Sequence, residues 1–136
     1  MAFEPLTYLL DCSVSDFQKL EDPEFTLQLL EDIRVVCDFQ VISRNYKKFH
    51  PQGLTAMLLL AESHISIHTW PEKELFCIDI FTCKGKINLS AIIQLLQNKL
   101  PNLVLLQAEE ISRRVYNQNE SIHQQEAAVI TRIPEK

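Results

Sequence analysis

Short strand-like segments, each ended by a turn or a proline, fill most of this chain and constrain its fold more than any other feature of the sequence. Residues 54–61 are apolar except for Thr55, which is typical of a buried strand. Residues 64–70 alternate polar and apolar side chains and stop at Pro71, which indicates a strand with one buried face. The other predicted strands cover residues 5–12, 38–49, 75–83 and 103–115.

Two segments have the periodicity of helices instead. Asp22 and Pro23 are typical of a helix start, because aspartate caps free backbone amides and proline fits the first helical turn. Asn88 is the expected cap of a second helix, which Pro101 stops. The predicted apolar faces are Phe25, Leu29, Leu30, Ile33, Val36 and Cys37 in the first helix, and Leu89, Ile92, Ile93, Leu96 and Leu100 in the second.

Strands with two inserted helices predict an α+β fold, a two-layer sandwich in which an antiparallel sheet carries both helices on one face. The 136 residues suit one domain and are too few for two ordinary ones. We expect residues 1–116 to form it, followed by a polar tail, 117–136, that is mobile or adds a late edge strand. Gly53 and Gly85, the only glycines, are expected in turns with unusual backbone angles.

Charge and composition exclude several classes of protein. The net charge is −5, whereas a nucleic-acid-binding protein needs a basic surface for phosphate contacts. No apolar run reaches half of the ~20 residues that cross a membrane, and the N-terminus lacks the positive charge of a signal peptide. We therefore expect a cytoplasmic protein, in which Cys12, Cys37, Cys77 and Cys83 are free thiols.

The segment Ala61–Glu72, AESHISIHTWPE, is the richest in reactive side chains. On a helix, His64 and His68 would share a face and could bind zinc. The alternating pattern favours a strand, along which four residues span about 13 Å, too far for one ion to take both ligands. We therefore expect no metal site. A serine hydrolase is also disfavoured, because Ser63 has no neighbouring glycine to form a nucleophile elbow.

The same segment, with IDIFTC after it and FHPQGLT before it, closely resembles the small prokaryotic class of S-adenosylmethionine decarboxylase proenzymes. The three blocks span residues 49–83 in the family's order and spacing, and the order of helices and strands agrees from about residue 5 to 115. The resemblance implies a carboxy-lyase of S-adenosylmethionine that supplies aminopropyl groups for spermidine synthesis. It also implies a homodimer of processed protomers.

By this resemblance, the chain cuts itself between Glu62 and Ser63, and Ser63 becomes a pyruvoyl cofactor that forms a Schiff base with the substrate. Thr55 supplies a hydroxyl for processing where the family has serine, and its added methyl group makes slower processing an expectation. His68 is the base for the elimination step. Strand parity places Ser63 and His68 on opposite faces, so their cooperation requires a bend near residues 62–64.

The resemblance assigns the remaining roles to residues on both sides of this segment. Cys83 is the proton donor in decarboxylation, since a thiol still holds its proton at neutral pH. Phe49 stacks on the adenine and Glu72 binds the ribose hydroxyls. Trp70 either lines the same pocket or is an aromatic residue at its rim.

The sequence departs from the family pattern at residues 73–77, KELFC, and at Lys84, where most members have glycine. These departures lie near the expected position of the substrate tail and leave two alternatives open. One is a pyruvoyl-dependent decarboxylase of arginine or ornithine on the same scaffold. The other is a relative that has lost self-processing and only binds a partner subunit.

Overall fold

The computed structural model describes residues 4–113 and 130–132. Seven strands and two helices follow one another in this part of the chain. Their bounds are β1 Leu6–Val14, α1 Pro23–Cys37, β2 Val41–Lys48, β3 Leu54–Leu60, β4 Ser63–Trp70, β5 Leu75–Thr82, α2 Leu89–Lys99, β6 Leu103–Ser112 and β7 Ile130–Arg132. Each predicted strand and helix is present, and short 3₁₀ turns at Gln18–Glu21 and Pro71–Lys73 are additional.

The strands form one antiparallel sheet in the order β2-β3-β4-β5-β1-β6-β7. The first strand along the chain lies between β5 and β6, so the centre of the sheet pairs segments that are distant in sequence. The three-residue strand β7 pairs with β6, which confirms an edge strand for that part of the polar tail. The rest of the predicted tail and the last residues of the strand predicted at 103–115 lie outside the described residues.

A buried row across the sheet shows how the core is built. Ala56, Ile67, Ile78 and Leu10 are register neighbours in successive strands, and each is 0% exposed. Because successive strand residues face opposite sides, this row and its even-spaced neighbours form one apolar face. The buried residues of both helices join them in a single core, which confirms the two-layer α+β fold.

The helix ends follow the predicted signals. The Asp22 carboxylate accepts a hydrogen bond from the Glu24 backbone amide at 3.0 Å, and the Asn88 side chain accepts one from the Ala91 amide at 3.1 Å. The predicted apolar face of α2 is buried throughout. In α1, Val36 is 37% exposed, so its predicted place on the apolar face is wrong. At 100° per residue, Val36 falls on the flank of the buried stripe formed by Leu29, Leu30 and Ile33.

The opposite face of the sheet has no helix over it among the described residues. We call it the helix-free face. By strand alternation it carries Thr55, Met57 and Leu59 of β3, Ser66, His68 and Trp70 of β4, and Cys77, Asp79 and Phe81 of β5. It combines half-buried polar side chains with exposed apolar ones. No helix in the described part of the chain is long and apolar enough to cross a membrane.

Candidate active site

The structure divides the residues that the sequence singles out into two groups at opposite ends of β4. The first group contains Glu62, Ser63 and Cys83, where β4 begins and β5 ends. The second group contains Phe49, Thr55, His68, Trp70 and Glu72, which line one cavity. The geometry of each group decides what it can do chemically.

In the first group, Ser63 meets Cys83 across the β4–β5 pair. The Ser63 Oγ lies 3.6 Å from the Cys83 Sγ, and the Cys83 backbone amide donates a hydrogen bond to the Glu62 carbonyl oxygen at 3.1 Å. That carbonyl belongs to the peptide bond between Glu62 and Ser63. A donor on its oxygen stabilises negative charge there, which attack by a nucleophile on the carbonyl carbon would generate.

The backbone at Ser63 is itself unusual. Its φ angle is +153°, a value outside the regions open to residues with a side chain. Such strain persists only where surrounding contacts enforce it. The enforcing contacts here include the strand pairing of Ser63 with Thr82 and the hydrogen bond on the preceding carbonyl. The Glu62–Ser63 bond is therefore the strained point of this site.

The segment before this bond is anchored to the residues that follow α1. The Glu62 carboxylate accepts a hydrogen bond from the Gln40 backbone amide at 3.1 Å, and the Ala61 backbone amide donates to the Gln40 backbone carbonyl at 2.9 Å. Glu62 is thus held through its side chain by Gln40 and through its carbonyl oxygen by the Cys83 amide, and Ala61 before it is held by its own backbone. This anchoring is a feature that sequence reasoning missed, since no local pattern relates residues 40 and 62.

Lys84, the residue after Cys83, forms a second anchor for the first group. Its Nζ donates hydrogen bonds to the Asp38 carbonyl oxygen and to the Asp38 Oδ2, the latter at 3.3 Å. Asp38 caps α1 with a φ of 56°, and a cation at a helix C-terminus is favourable. Lys84, one of the departures from the family pattern noted in the sequence, therefore ties the residue after Cys83 to the end of a helix.

The second group centres on a cross-strand pair of the helix-free face. Thr55 and His68 are register partners in β3 and β4, and the Thr55 Oγ1 lies 3.0 Å from the His68 Nδ1. The Trp70 ring lies 6.2 Å from the His68 ring at an interplanar angle of 33°. The hydroxyl thus fixes the orientation of the imidazole through Nδ1, which leaves Nε2 for proton transfer.

Beside this pair lies a cavity of about 420 Å³. Its lining residues are Phe49, Gln52, Gly53, Thr55, His68, Thr69, Trp70 and Glu72. The Gln52 Nε2 donates a hydrogen bond to the Glu72 Oε2 at 2.9 Å. The cavity combines two aromatic rings with a carboxylate, a surface suited to a flat heterocycle carrying hydroxyl groups. Gln52 belongs to the FHPQGLT block, which is the signal that could have identified it.

His64 and the four cysteines complete the inventory of reactive side chains. His64 lies on the strand β4 with its ring 5.9 Å from Phe81, and no metal-binding group of His, Cys, Asp or Glu exists among residues 4–113 and 130–132. All four cysteines are free thiols, as predicted. Cys83 is exposed, whereas burial raises the pKa of Cys12 to about 12 and that of Cys37 to about 11. The pKa of Cys77 is raised to about 12, by burial first and then by a hydrogen bond to Asp11.

The two groups do not meet within one chain. The chain bends at residues 61–62, just before most of the predicted range 62–64, and this bend does not bring Ser63 to His68. Ser63 enters β4 and pairs with Thr82, while His68 pairs with Cys77. Five residues of strand separate them by about 16 Å, several times the reach of a hydrogen bond. A reacting atom at Ser63 therefore lies out of reach of the histidine in the same chain.

Comparisons with known proteins point to one family. The family model described as S-adenosylmethionine decarboxylase matches residues 6–114. The S-adenosylmethionine decarboxylase proenzyme of Clostridium botulinum (strain Loch Maree / Type A3) is 35% identical over 109 residues, which cover 80% of this chain and 91% of that protein. The proenzyme of Sulfurihydrogenibium sp. (strain YO3AOP1) is 42% identical over 81 residues, 60% of this chain and 61% of the relative.

A solved structure agrees with the sequence matches. The crystal structure of the adenosylmethionine decarboxylase from Aquifex aeolicus VF5 superposes with a TM-score of 0.68 at 30% identity. The match covers 89% of this chain and 98% of that one. The fold and the sequence blocks around β3, β4 and β5 are thus similar to the same group of proteins.

Proposed function

The chain belongs to the S-adenosylmethionine decarboxylase family, and we propose on that premise that it decarboxylates S-adenosylmethionine with a pyruvoyl group made from its own Ser63. The product would donate aminopropyl groups for spermidine synthesis. The observation that carries this proposal is the arrangement at the Glu62–Ser63 bond. There a strained serine follows a carbonyl that already accepts a hydrogen bond, with a thiol 3.6 Å from the serine hydroxyl.

The residues present fit the formation of a pyruvoyl group at this position. In the proposed first step, the Ser63 Oγ attacks the Glu62 carbonyl carbon, the Oγ proton passes to the Ser63 nitrogen, and an ester replaces the amide. The Cys83 amide, 3.1 Å from the carbonyl oxygen, supports the negative charge of this shift. Loss of the strained backbone angle when the amide is replaced favours the same direction.

The second step requires a base. Removal of the Ser63 α-proton forms the Cα–Cβ double bond, breaks the Cβ–Oγ bond and releases the Glu62 carboxylate. Water then displaces ammonia, which leaves a pyruvoyl group at the start of the chain 63–136. His68, oriented by Thr55, has the chemistry for the proton removal, because an imidazole ring nitrogen is a common general base in enzymes.

Since His68 lies about 16 Å from Ser63 along the strand, we propose that the two groups come together across a homodimer. The helix-free face carries Thr55 and His68, together with apolar side chains open to contact. Met57 and Leu59 are 37% and 46% exposed. Two copies that pack these faces about a two-fold axis would bury this apolar surface. Ser63 lies at the start of β4 beside the exposed Cys83, and the proposed packing brings this end of the strand to the histidine of the other copy. A small domain also gains stability from such burial.

In the decarboxylation itself, a pyruvoyl group at position 63 would supply an electrophilic carbonyl for the substrate amine and an electron sink for the loss of CO₂. The chain's own residues bind and protonate. Cys83, exposed and beside the future pyruvoyl position, delivers a proton to the substrate carbon. Phe49 and Trp70 hold the adenine, and Glu72 accepts hydrogen bonds from the ribose hydroxyls.

The remaining expectations stay proposals of the same kind. We propose a cytoplasmic enzyme that binds neither nucleic acid nor membranes, supported by its free thiols and its net charge of −5. We also propose that residues 1–116 are the catalytic domain, with 117–136 as an appended tail. Support comes from the family match, which ends at residue 114.

Intact mass under denaturing conditions tests this proposal. Purified protein should separate into two chains split after Glu62, with the 63–136 chain lacking a free amine and reacting with carbonyl reagents. Ser63→Ala, which removes only a hydroxyl, should fold and stay uncut. The cut protein should release CO₂ from S-adenosylmethionine and not from arginine or ornithine. An uncut 15.8 kDa chain after long incubation would instead support the partner-binding alternative, and release from arginine or ornithine would refute the substrate.

A further inference from the structure

Gln52 lies in the turn between β2 and β3 and reaches the carboxylate of the cavity. We propose that Gln52 is a positioning residue, which orients Glu72 for the ribose hydroxyls and thereby sets the affinity for the nucleoside part of the substrate. This inference rests on the proposed function, in which Glu72 contacts the substrate and Gln52 does not. Neither the family resemblance nor the sequence pattern assigns Gln52 a role.

The contact between the two side chains is specific. The Gln52 Nε2 donates to the Glu72 Oε2 at 2.9 Å, a distance typical of a well-formed hydrogen bond. Among the side chains described in residues 4–113, no other one hydrogen-bonds this carboxylate. One oxygen is therefore occupied by a neutral donor and the other, Oε1, keeps its capacity to accept hydrogen bonds from a ligand.

Glu72 needs such an anchor because of its own position. It lies in the three-residue 3₁₀ turn Pro71–Lys73 and is exposed, so little packing restricts its side chain. A free glutamate side chain loses rotamer entropy when a ligand immobilises it. A hydrogen bond that selects one rotamer beforehand removes part of that cost from binding.

The turn that carries Gln52 is itself fixed. The Gly53 amide donates to the Glu21 Oε1 at 3.1 Å, and the Phe49 amide donates to the Gly53 carbonyl at 2.9 Å. Gly53 has a φ of +98°, and a Cβ there would lie 3.3 Å from the Thr69 carbonyl oxygen. The Gln52 side chain thus starts from a constrained backbone, and the same turn positions the aromatic Phe49.

One turn therefore joins the two groups proposed to hold the nucleoside, although Phe49 and Glu72 belong to different parts of the sheet. A change at Gln52 should affect nucleoside affinity more than the chemical step, because the reacting carbon lies away from the ribose. The chain contains one tryptophan, Trp70, and it lines this cavity. Its fluorescence reports binding independently of turnover.

The experiment measures KM for S-adenosylmethionine, kcat per cleaved chain, and the Kd of 5′-methylthioadenosine from Trp70 fluorescence. That probe has the nucleoside and lacks the amino-acid part. Gln52→Ala should raise KM and Kd about threefold to tenfold, the range for an exposed hydrogen bond to a charged group, and change kcat less than about twofold. The matched control is Gln28→Ala, which removes an equivalent amide donor from Asp32 at 2.8 Å on the surface of α1 and should change none of these values.

A double-mutant cycle separates positioning from general damage to the turn. If Gln52 acts through Glu72, Gln52→Ala should change the Kd less than about twofold once Glu72→Ala has removed the carboxylate. Gln52→Glu places two carboxylates together and should weaken binding more than Gln52→Ala at neutral pH.

Two outcomes would overturn the positioning role. One is that Gln52→Ala raises the Kd as much in the Glu72→Ala background as it does alone. The other is that Gln52→Ala alone binds with wild-type affinity. The proposed function fails separately, if the cleaved wild-type protein releases no CO₂ from S-adenosylmethionine. The fluorescence measurement with 5′-methylthioadenosine still decides the role of Gln52 in that case, because it needs no turnover.

Discussion

Mixing two inactive variants tests whether the site is shared between two chains. Ser63→Ala removes the nucleophile and His68→Ala removes the proposed base, so neither variant alone should cut itself. In a mixed dimer, the Ser63 of the His68→Ala chain faces the intact His68 of the Ser63→Ala chain. One complete site is restored, and the His68→Ala chain should be cut.

The structure sets the size of the expected effect. Proton transfer needs a separation of about 3 Å, whereas Ser63 and His68 of one chain are about 16 Å apart along β4. Random pairing of equal amounts gives about half mixed dimers, each with one restored site of two, so about half of the His68→Ala chains should be cut. The Ser63→Ala chain should remain whole in every sample.

Co-expression with two different affinity tags, followed by sequential purification, isolates the mixed dimer, and intact mass identifies which chain is cut. Each variant expressed alone is the control for background cleavage. A mixed dimer in which both chains stay whole, although each variant is folded and paired, would refute the shared site. It would require Ser63 and His68 of the same chain to meet by a rearrangement of β4.

Two further predictions concern cysteines. Cys83→Ala should still cut itself, because the donor to the Glu62 carbonyl is the Cys83 backbone amide. Its decarboxylation, measured as CO₂ release, should fall about 10²- to 10⁴-fold. Equal loss of both steps would contradict the assignment of the thiol as proton donor. Iodoacetamide at about pH 8 should label Cys83 before the other thiols, since burial raises the pKa of Cys12, Cys37 and Cys77 and reactivity follows the thiolate. Peptide mapping of samples taken at successive times measures the labelling of each cysteine. Early labelling of Cys12 would contradict its place in the buried core.

The sequence alone predicted the elements of the fold, because their signals are local. Asp22 and Asn88 cap helices through hydrogen bonds within three residues, and Pro71 ends β4 where the pattern of alternation ends. The burial of Val36 was predicted wrongly, because helical periodicity does not show where the buried stripe of a helix ends and its exposed flank begins. The family resemblance supplied separate roles for Phe49, Thr55, His68, Trp70 and Glu72, in processing or in substrate binding. That all five line one cavity is a finding of the structure.

Tertiary structure alone decided which of these residues meet. The pairs Thr55–His68, Gln52–Glu72 and Ser63–Cys83 are 13, 20 and 20 residues apart in sequence. Periodicity within a segment shows which face a side chain occupies, but not which strand lies beside it or in what register. Register is set by the burial of whole strands, and it places His68 opposite Thr55 and Cys77 rather than near Ser63. The sequence therefore determined the chemical groups of the site, and strand pairing determined their division into two parts that one chain cannot join.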